Sequence, residues 1–162
     1  MDEIATQVQD VIEGIRDELK RLNHELTAVI PKELAKARSY GDLSENAEYH
    51  STKERQAFVE IRVSQFNRRL SELAHLRVET LPREAVGLFS QVVLEGEDGN
   101  VYDYTLVLPE MVDKQPGLLS VSAPRAQALL GKVPGDEVRL PADGGAVKVE
   151  ITRLVNPWGE EV

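Results

Sequence analysis

Two long apolar stripes at helical spacing, joined by a turn of eight residues, restrict this chain more than any other feature. In the first stripe Ile4, Val8, Val11, Ile15, Leu19, Leu22, Leu26, Ile30 and Leu34 follow one another at gaps of three and four residues. That spacing puts them on one face of a helix. Pro31 falls inside the stripe and has no N–H to donate. The stripe nevertheless resumes in phase at Leu34, so the spacing predicts one kinked helix. The second stripe, Ala47, Phe58, Ile61, Phe66, Leu70, Leu73 and Leu76, is less regular, with Ser64 and Gln65 where a seam residue is expected. Between the two lies Ser39-Tyr40-Gly41-Asp42-Leu43-Ser44-Glu45-Asn46. Two helices of about 45–50 Å joined by so short a turn are expected to pack antiparallel as a coiled coil, with the turn at its far tip.

Past Leu81-Pro82 the texture changes to short β-type runs punctuated by Gly, Pro and Asp. Strands are expected at Ser90–Glu95, Val101–Leu108, Leu118–Ser122, Glu137–Leu140 and Val147–Val155. Asp98-Gly99-Asn100 and Asp143-Gly144-Gly145 are turn signals. Pro124 is expected to open a short helix, Arg125–Leu130, which Gly131 ends. The reading is an α+β chain: a coiled-coil hairpin over residues 1–78 with its tip at 39–46, a linker over 79–84, and a mixed-sheet domain with one short helix over 85–162.

Composition narrows the chemistry. The 162 residues include no Cys, which removes disulfides, thiolate catalysis and zinc–cysteine sites. No apolar run approaches the roughly 20 residues of a membrane helix, and the acidic start lacks the pattern of a signal peptide. A soluble cytoplasmic protein is expected. With 19 basic and 28 acidic residues the net charge is −9, which disfavours unaided binding to duplex nucleic acid. The charge is uneven. Residues 1–77 hold twelve basic against fourteen acidic residues, a net of −2, and residues 78–162 hold seven against fourteen, a net of −7.

The tip carries the candidate chemistry. Asp42-x-x-Glu45 fits a capping box for the second helix, with Ser44 as a further cap candidate. The same two acids could serve as metal ligands, and the two roles are compatible. Two exposed carboxylates alone make a weak magnesium site, because magnesium retains its waters and draws further ligands from a substrate phosphate. A partner would have to supply the rest, which points to a helper protein. Basic residues gather around the second helix at Arg38, Lys53, Arg55, Arg62, Arg68 and Arg69. They suit either a salt-bridged face opposite Glu48, Glu54 and Glu60 or a path for an RNA backbone. His24, His50 and His75 form no metal-ligand spacing and are expected on the surface or in the seam. No phosphate loop or nucleophile elbow is present.

The stretch from Ala37 to His50, Ala-Arg-Ser-Tyr-Gly-Asp-Leu-Ser-Glu-Asn-Ala-Glu-Tyr-His, resembles the tip of the bacterial Gre transcript-cleavage factors, the GreA-type members in particular. The likeness continues through Lys53-Glu54 and Gln56, then through Ala128-Leu129-Leu130-Gly131-Lys132 and Gly135-Asp136-Glu137-Val138. It implies an N-terminal coiled coil and a C-terminal FKBP-like domain. It also implies a monomer that acts on RNA polymerase and the nascent RNA 3′ end, away from any membrane. The coiled coil would enter the secondary channel while the C-terminal domain docks at its rim. Asp42 and Glu45 would share a magnesium ion with the polymerase and promote its own cleavage of backtracked RNA. No cofactor would be bound tightly by the chain alone. Arg38, Tyr40, Ser44, Asn46, Tyr49, Lys53 and Arg55 would contact RNA or polymerase.

The resemblance departs at Ser122-Ala123-Pro124, where the family usually has Asn-Ser-Pro, and at the opening residues. Three rivals remain. One is a Gre-like paralogue that occupies the channel and inhibits; intact Asp42 and Glu45 argue against it. Another is an FKBP-like isomerase or chaperone, which needs an aromatic pocket from Phe89, Tyr102, Tyr104 and Trp158, the last expected near a flexible end. The third, a purely structural coiled-coil adaptor, would leave the tip motif unexplained.

Overall fold

The computed structural model describes all residues, 1–162. Helix α1 (Asp2–His24) runs into a single π-helical turn, Glu25–Val29, and then into α2 (Ile30–Arg38). The wide turn is the way Pro31 is accommodated. Ile30 N–H donates to Glu25 O, five residues back instead of four. One extra residue per turn just before the proline lets the helix continue where it would otherwise break.

Helix α3 (Ala47–Ala74) returns antiparallel. The first stripe is buried as expected, at Val8, Val11, Ile15, Leu19, Leu22, Ile30, Leu34 and also Ala37. The second holds at Phe66, Leu70, Leu73 and Leu76 and is corrected at its other three members. Phe58 and Ile61 are 52% and 57% exposed, and Ala47 is exposed too. The uncharged positions of α3 that lose solvent are Tyr49, Thr52, Gln56, Val59, Val63, Phe66, Leu70 and Leu73. Their gaps alternate three and four, which is a heptad seam. At its centre Leu22, Ile30, Leu34 and Val59 form one buried cluster, edged by Leu26, Tyr49, Val63 and Phe66.

The second half holds five strands. They are β1 (Gln91–Gly96), β2 (Val101–Val107), β3 (Leu118–Ser120), β4 (Glu137–Ala142) and β5 (Gly145–Val155), with helix α4 (Pro124–Leu129) between β3 and β4. Each expected strand and the helix is present within a few residues. The sheet order is β3-β2-β1-β5-β4. All neighbours are antiparallel except β2 and β3. Inward-facing Val92, Leu94, Leu106, Leu140, Ile151 and Leu154 form the core with Ala126 and Leu129 of α4. A register shift at Val93/Leu94 leaves Thr152 unopposed on β5. The carboxyl end, expected as flexible at Trp158, is bonded back to the sheet. Val162 N–H donates to Leu154 O at 3.0 Å, and Arg83 lies 4.0 Å over the Trp158 ring.

The chain divides into two compact units, Val8–Leu76 and the combination of Met1–Gln7 with Arg77–Val162. The first seven residues, expected with the hairpin, thus group with the sheet. Residues 79–84, expected as a linker, lie inside the sheet unit. There Asn156 Nδ2 donates to Arg83 O at 3.2 Å, and Arg83 pairs with Glu160.

Candidate functional site

The tip is built by one side chain. Asn46, in extended backbone just before α3, accepts from Tyr49 N–H at 3.0 Å through Oδ1. Its Nδ2 donates to Ala37 O at 2.6 Å, in the last turn of α2. The amide thereby caps one helix and binds the end of the other, closing the loop between them. Gly41 makes the loop's sharpest bend at φ +88°, a left-handed conformation natural to glycine.

Neither expected cap, Asp42 nor Ser44, caps α3. Asp42 Oδ1 instead accepts from Ser44 N–H at 3.2 Å and Ser44 Oγ–H at 2.8 Å, a local turn. Glu45 makes no hydrogen bond or ion pair within the chain. Both acids are exposed. With Tyr40, Asn46, Ala47 and Glu48 they border one open hollow. Within the chain no group of three or more His, Asp or Glu side chains is gathered to hold a metal.

The other predicted contact residues separate into free and engaged. Tyr40 is exposed, and no hydrogen bond holds its side chain. Arg38 lies 5.8 Å from the Tyr49 ring centroid, a cation–π contact that leaves its N–H groups free. Lys53 donates to Gln56 on its own helix. Arg55 is occupied: its Nε and one terminal nitrogen donate to the two oxygens of Glu25 at 2.6 and 2.9 Å. This fork across the hairpin holds the Glu25 carboxyl below its usual range, chiefly through the Arg55 hydrogen bond. Further along, Arg68 and Arg69 both pair with Glu72. The salt-bridged reading therefore describes Arg55, Arg68 and Arg69, but with Glu25 and Glu72 as the acids and not Glu48, Glu54 or Glu60, and Arg38 and Lys53 have no acid beside them.

The aromatic residues of the sheet unit do not line a common pocket. Phe89 is buried, Tyr102 stacks on Tyr104 beside Arg125, and Trp158 lies under Arg83.

Residues 8–74 match the family profile described as transcription elongation factor, N-terminal, and residues 81–155 match the GreA/GreB C-terminal profile. The chain belongs to the GreA/GreB transcription elongation factor family. Its curated relatives include the transcription elongation factor GreA of Acidiphilium cryptum, 38% identical over 86% of this chain and 90% of that protein. The GreA of Helicobacter hepaticus is 39% identical over 85% of each chain. Among solved structures, a GreA/GreB factor from Nitrosomonas europaea is 33% identical over 55% of this chain and 78% of its own, with a TM-score of 0.40. The Gfh1 protein of Thermus thermophilus is 23% identical over 90% of this chain and 94% of its own, also at 0.40. The N-terminal GreA/GreB profile coincides closely with the Val8–Leu76 unit.

Sequence reasoning missed two tip residues. Asn46 is expected as a contact residue, and its capping role is hidden because Asp42, Ser44 and Asn46 are all good caps within five residues. His50 is expected only as a surface or seam residue. Its Nε2 lies 3.2 Å from Ser44 O, a link that spans six residues and has no sequence signature.

Proposed function

We propose that this chain is a transcript-cleavage elongation factor. It binds RNA polymerase, passes its hairpin into the secondary channel, and stimulates the polymerase to cut backtracked RNA at the polymerase's own active centre. Family membership supports the reading. The observation that carries it is the release of Asp42 and Glu45 from helix capping. Asn46 does that work, so both carboxylates are left exposed on a closed loop at the hairpin's end.

The donor set fits a magnesium ion shared with a partner. Two carboxylates, one of them with an oxygen not engaged by Ser44, provide hard anionic ligands but too few for a site of their own. When bound, such an ion stabilises charge on a phosphate and lowers the pKa of water. The chain's residues present the ligands and hold them in place. Ser44 fixes one oxygen of Asp42, and Arg38 and Lys53 bring positive charge for RNA phosphates. The sheet unit would supply docking at the channel rim.

The test is RNA cleavage in a stalled elongation complex from the matching polymerase. Asp42→Asn and Glu45→Gln should each lower cleavage by about an order of magnitude or more, the cost of losing about 1.4 kcal/mol of transition-state stabilisation. Melting should stay unchanged, because neither residue caps a helix. Both variants should still compete with the unmodified protein for polymerase. Full cleavage by the double variant would overturn the metal-ligand reading. Inhibition without cleavage by the unmodified protein would favour the paralogue that only fills the channel.

A further inference from the structure

We propose that His50 is a positioning residue for Asp42, acting through Ser44. This role presupposes that Asp42 is a metal ligand in the polymerase complex.

The loop is pinned at its ends. Tyr40 and Gly41 N–H groups bond back to Ala37 and Arg38, and Asn46 closes the other side. The middle, Asp42 to Glu45, is different. Ser44 bonds Asp42, but both belong to the same stretch, so that bond does not tie it to a helix. The one hydrogen bond from that stretch to a helix is His50 Nε2–H donating to Ser44 O at 3.2 Å. His50 is well placed to be an anchor. Its backbone N–H makes the first bond of α3, to Asn46 O at 3.1 Å. Its ring stands edge-on to Tyr49, with centroids 5.7 Å apart. Tyr49 is itself packed into the seam and covered by Arg38. Rigidity thus passes from the coiled-coil seam through His50 and Ser44 to one carboxylate oxygen of Asp42. Without the bond, Asp42 and Ser44 keep each other's company but swing together, and the ligand spends less time where a shared ion needs it.

Two variants separate this from a structural or contact role. His50→Phe keeps a ring against Tyr49 and removes the donor. His50→Gln keeps an N–H at a similar reach. In the stalled-complex assay, His50→Phe should lower cleavage at saturating factor by about three- to tenfold, the range for one net hydrogen bond. The concentration giving half-maximal effect and the melting curve should not move, and His50→Gln should recover most of the rate. Asp42→Asn is measured alongside. If it is inactive while His50→Phe is fully active at saturation, the positioning role is rejected and the metal-ligand reading stands. A loss confined to the half-maximal concentration would make His50 a contact residue and overturn the proposal. Equal loss in His50→Phe and His50→Gln would also overturn it. Full activity of Asp42→Asn removes the presupposition and the proposal with it.

Discussion

At Asn46 one amide serves two helices, its oxygen toward α3 and its nitrogen toward α2. A carboxylate in its place could cap but could not donate, and it would face the Ala37 carbonyl. The division of labour along the loop follows from this: an uncharged side chain closes it and the charged ones stay free. Ala123 shows the reverse situation. It occupies the N-cap position of α4 with φ −67° and ψ 146°, and it has no side-chain oxygen to offer. The helix therefore starts without a side-chain cap. Ala123→Ser should stabilise the sheet unit by about 0.5–1 kcal/mol, since Ser at such a position satisfies an orphan N–H of the first turn. The denaturant midpoint is the measurement, and a midpoint that does not rise would show that the hydroxyl does not reach.

Among the elements, the hairpin seam decides which apolar residues matter. Ile30 is fully buried between the helices, while Phe58 faces outward with Arg55 over its ring at 5.4 Å. Ile30→Ala should cost about 2–5 kcal/mol, and Phe58→Ala within about 0.5 kcal/mol. Comparable losses, read from thermal or denaturant unfolding, would mean the seam is misassigned. These same residues mark what was legible beforehand. The first stripe could be read directly because every seam position carries an aliphatic side chain. The seam of α3 could not, because it includes polar Thr52 and Gln56 while Phe58 and Ile61 lie on the solvent side. Apolarity alone picks the right face from Phe66 onward and the wrong one at Ala47, Phe58 and Ile61. Pro31 was legible as a disturbance but not as a π turn, although three successive four-residue gaps, Leu22 to Leu34, suit a turn wider than 3.6 residues. The strands were legible because Gly, Pro and Asp bracket each one. The tip acids could be picked out; their bonding could not, because three adjacent cap formers leave the helix start undecided.

Across the whole molecule, the chain passes between units at Gln7/Val8 and at Leu76/Arg77, not at the Leu81-Pro82 texture change. Arg83 is held by Trp158, Glu160 and Asn156, while no partner holds the exposed Arg77 side chain. Brief trypsin treatment should therefore cut after Arg77 before it cuts after Arg83. Mass spectrometry of the first fragments distinguishes the two, and a leading cut at Arg83 would move the boundary back to the texture change.

The membership of Met1–Gln7 in the sheet unit has a consequence for how the chain is made. Synthesis delivers the amino end first, and the hairpin can close as soon as residue 76 has emerged. The opening seven residues cannot settle then, because the strands they belong with are still unmade. They wait on the ribosome until β2, β3 and Trp158, whose residues border the same hollows, have appeared. The first turns of α1 thus wait for a part of the chain made long after them.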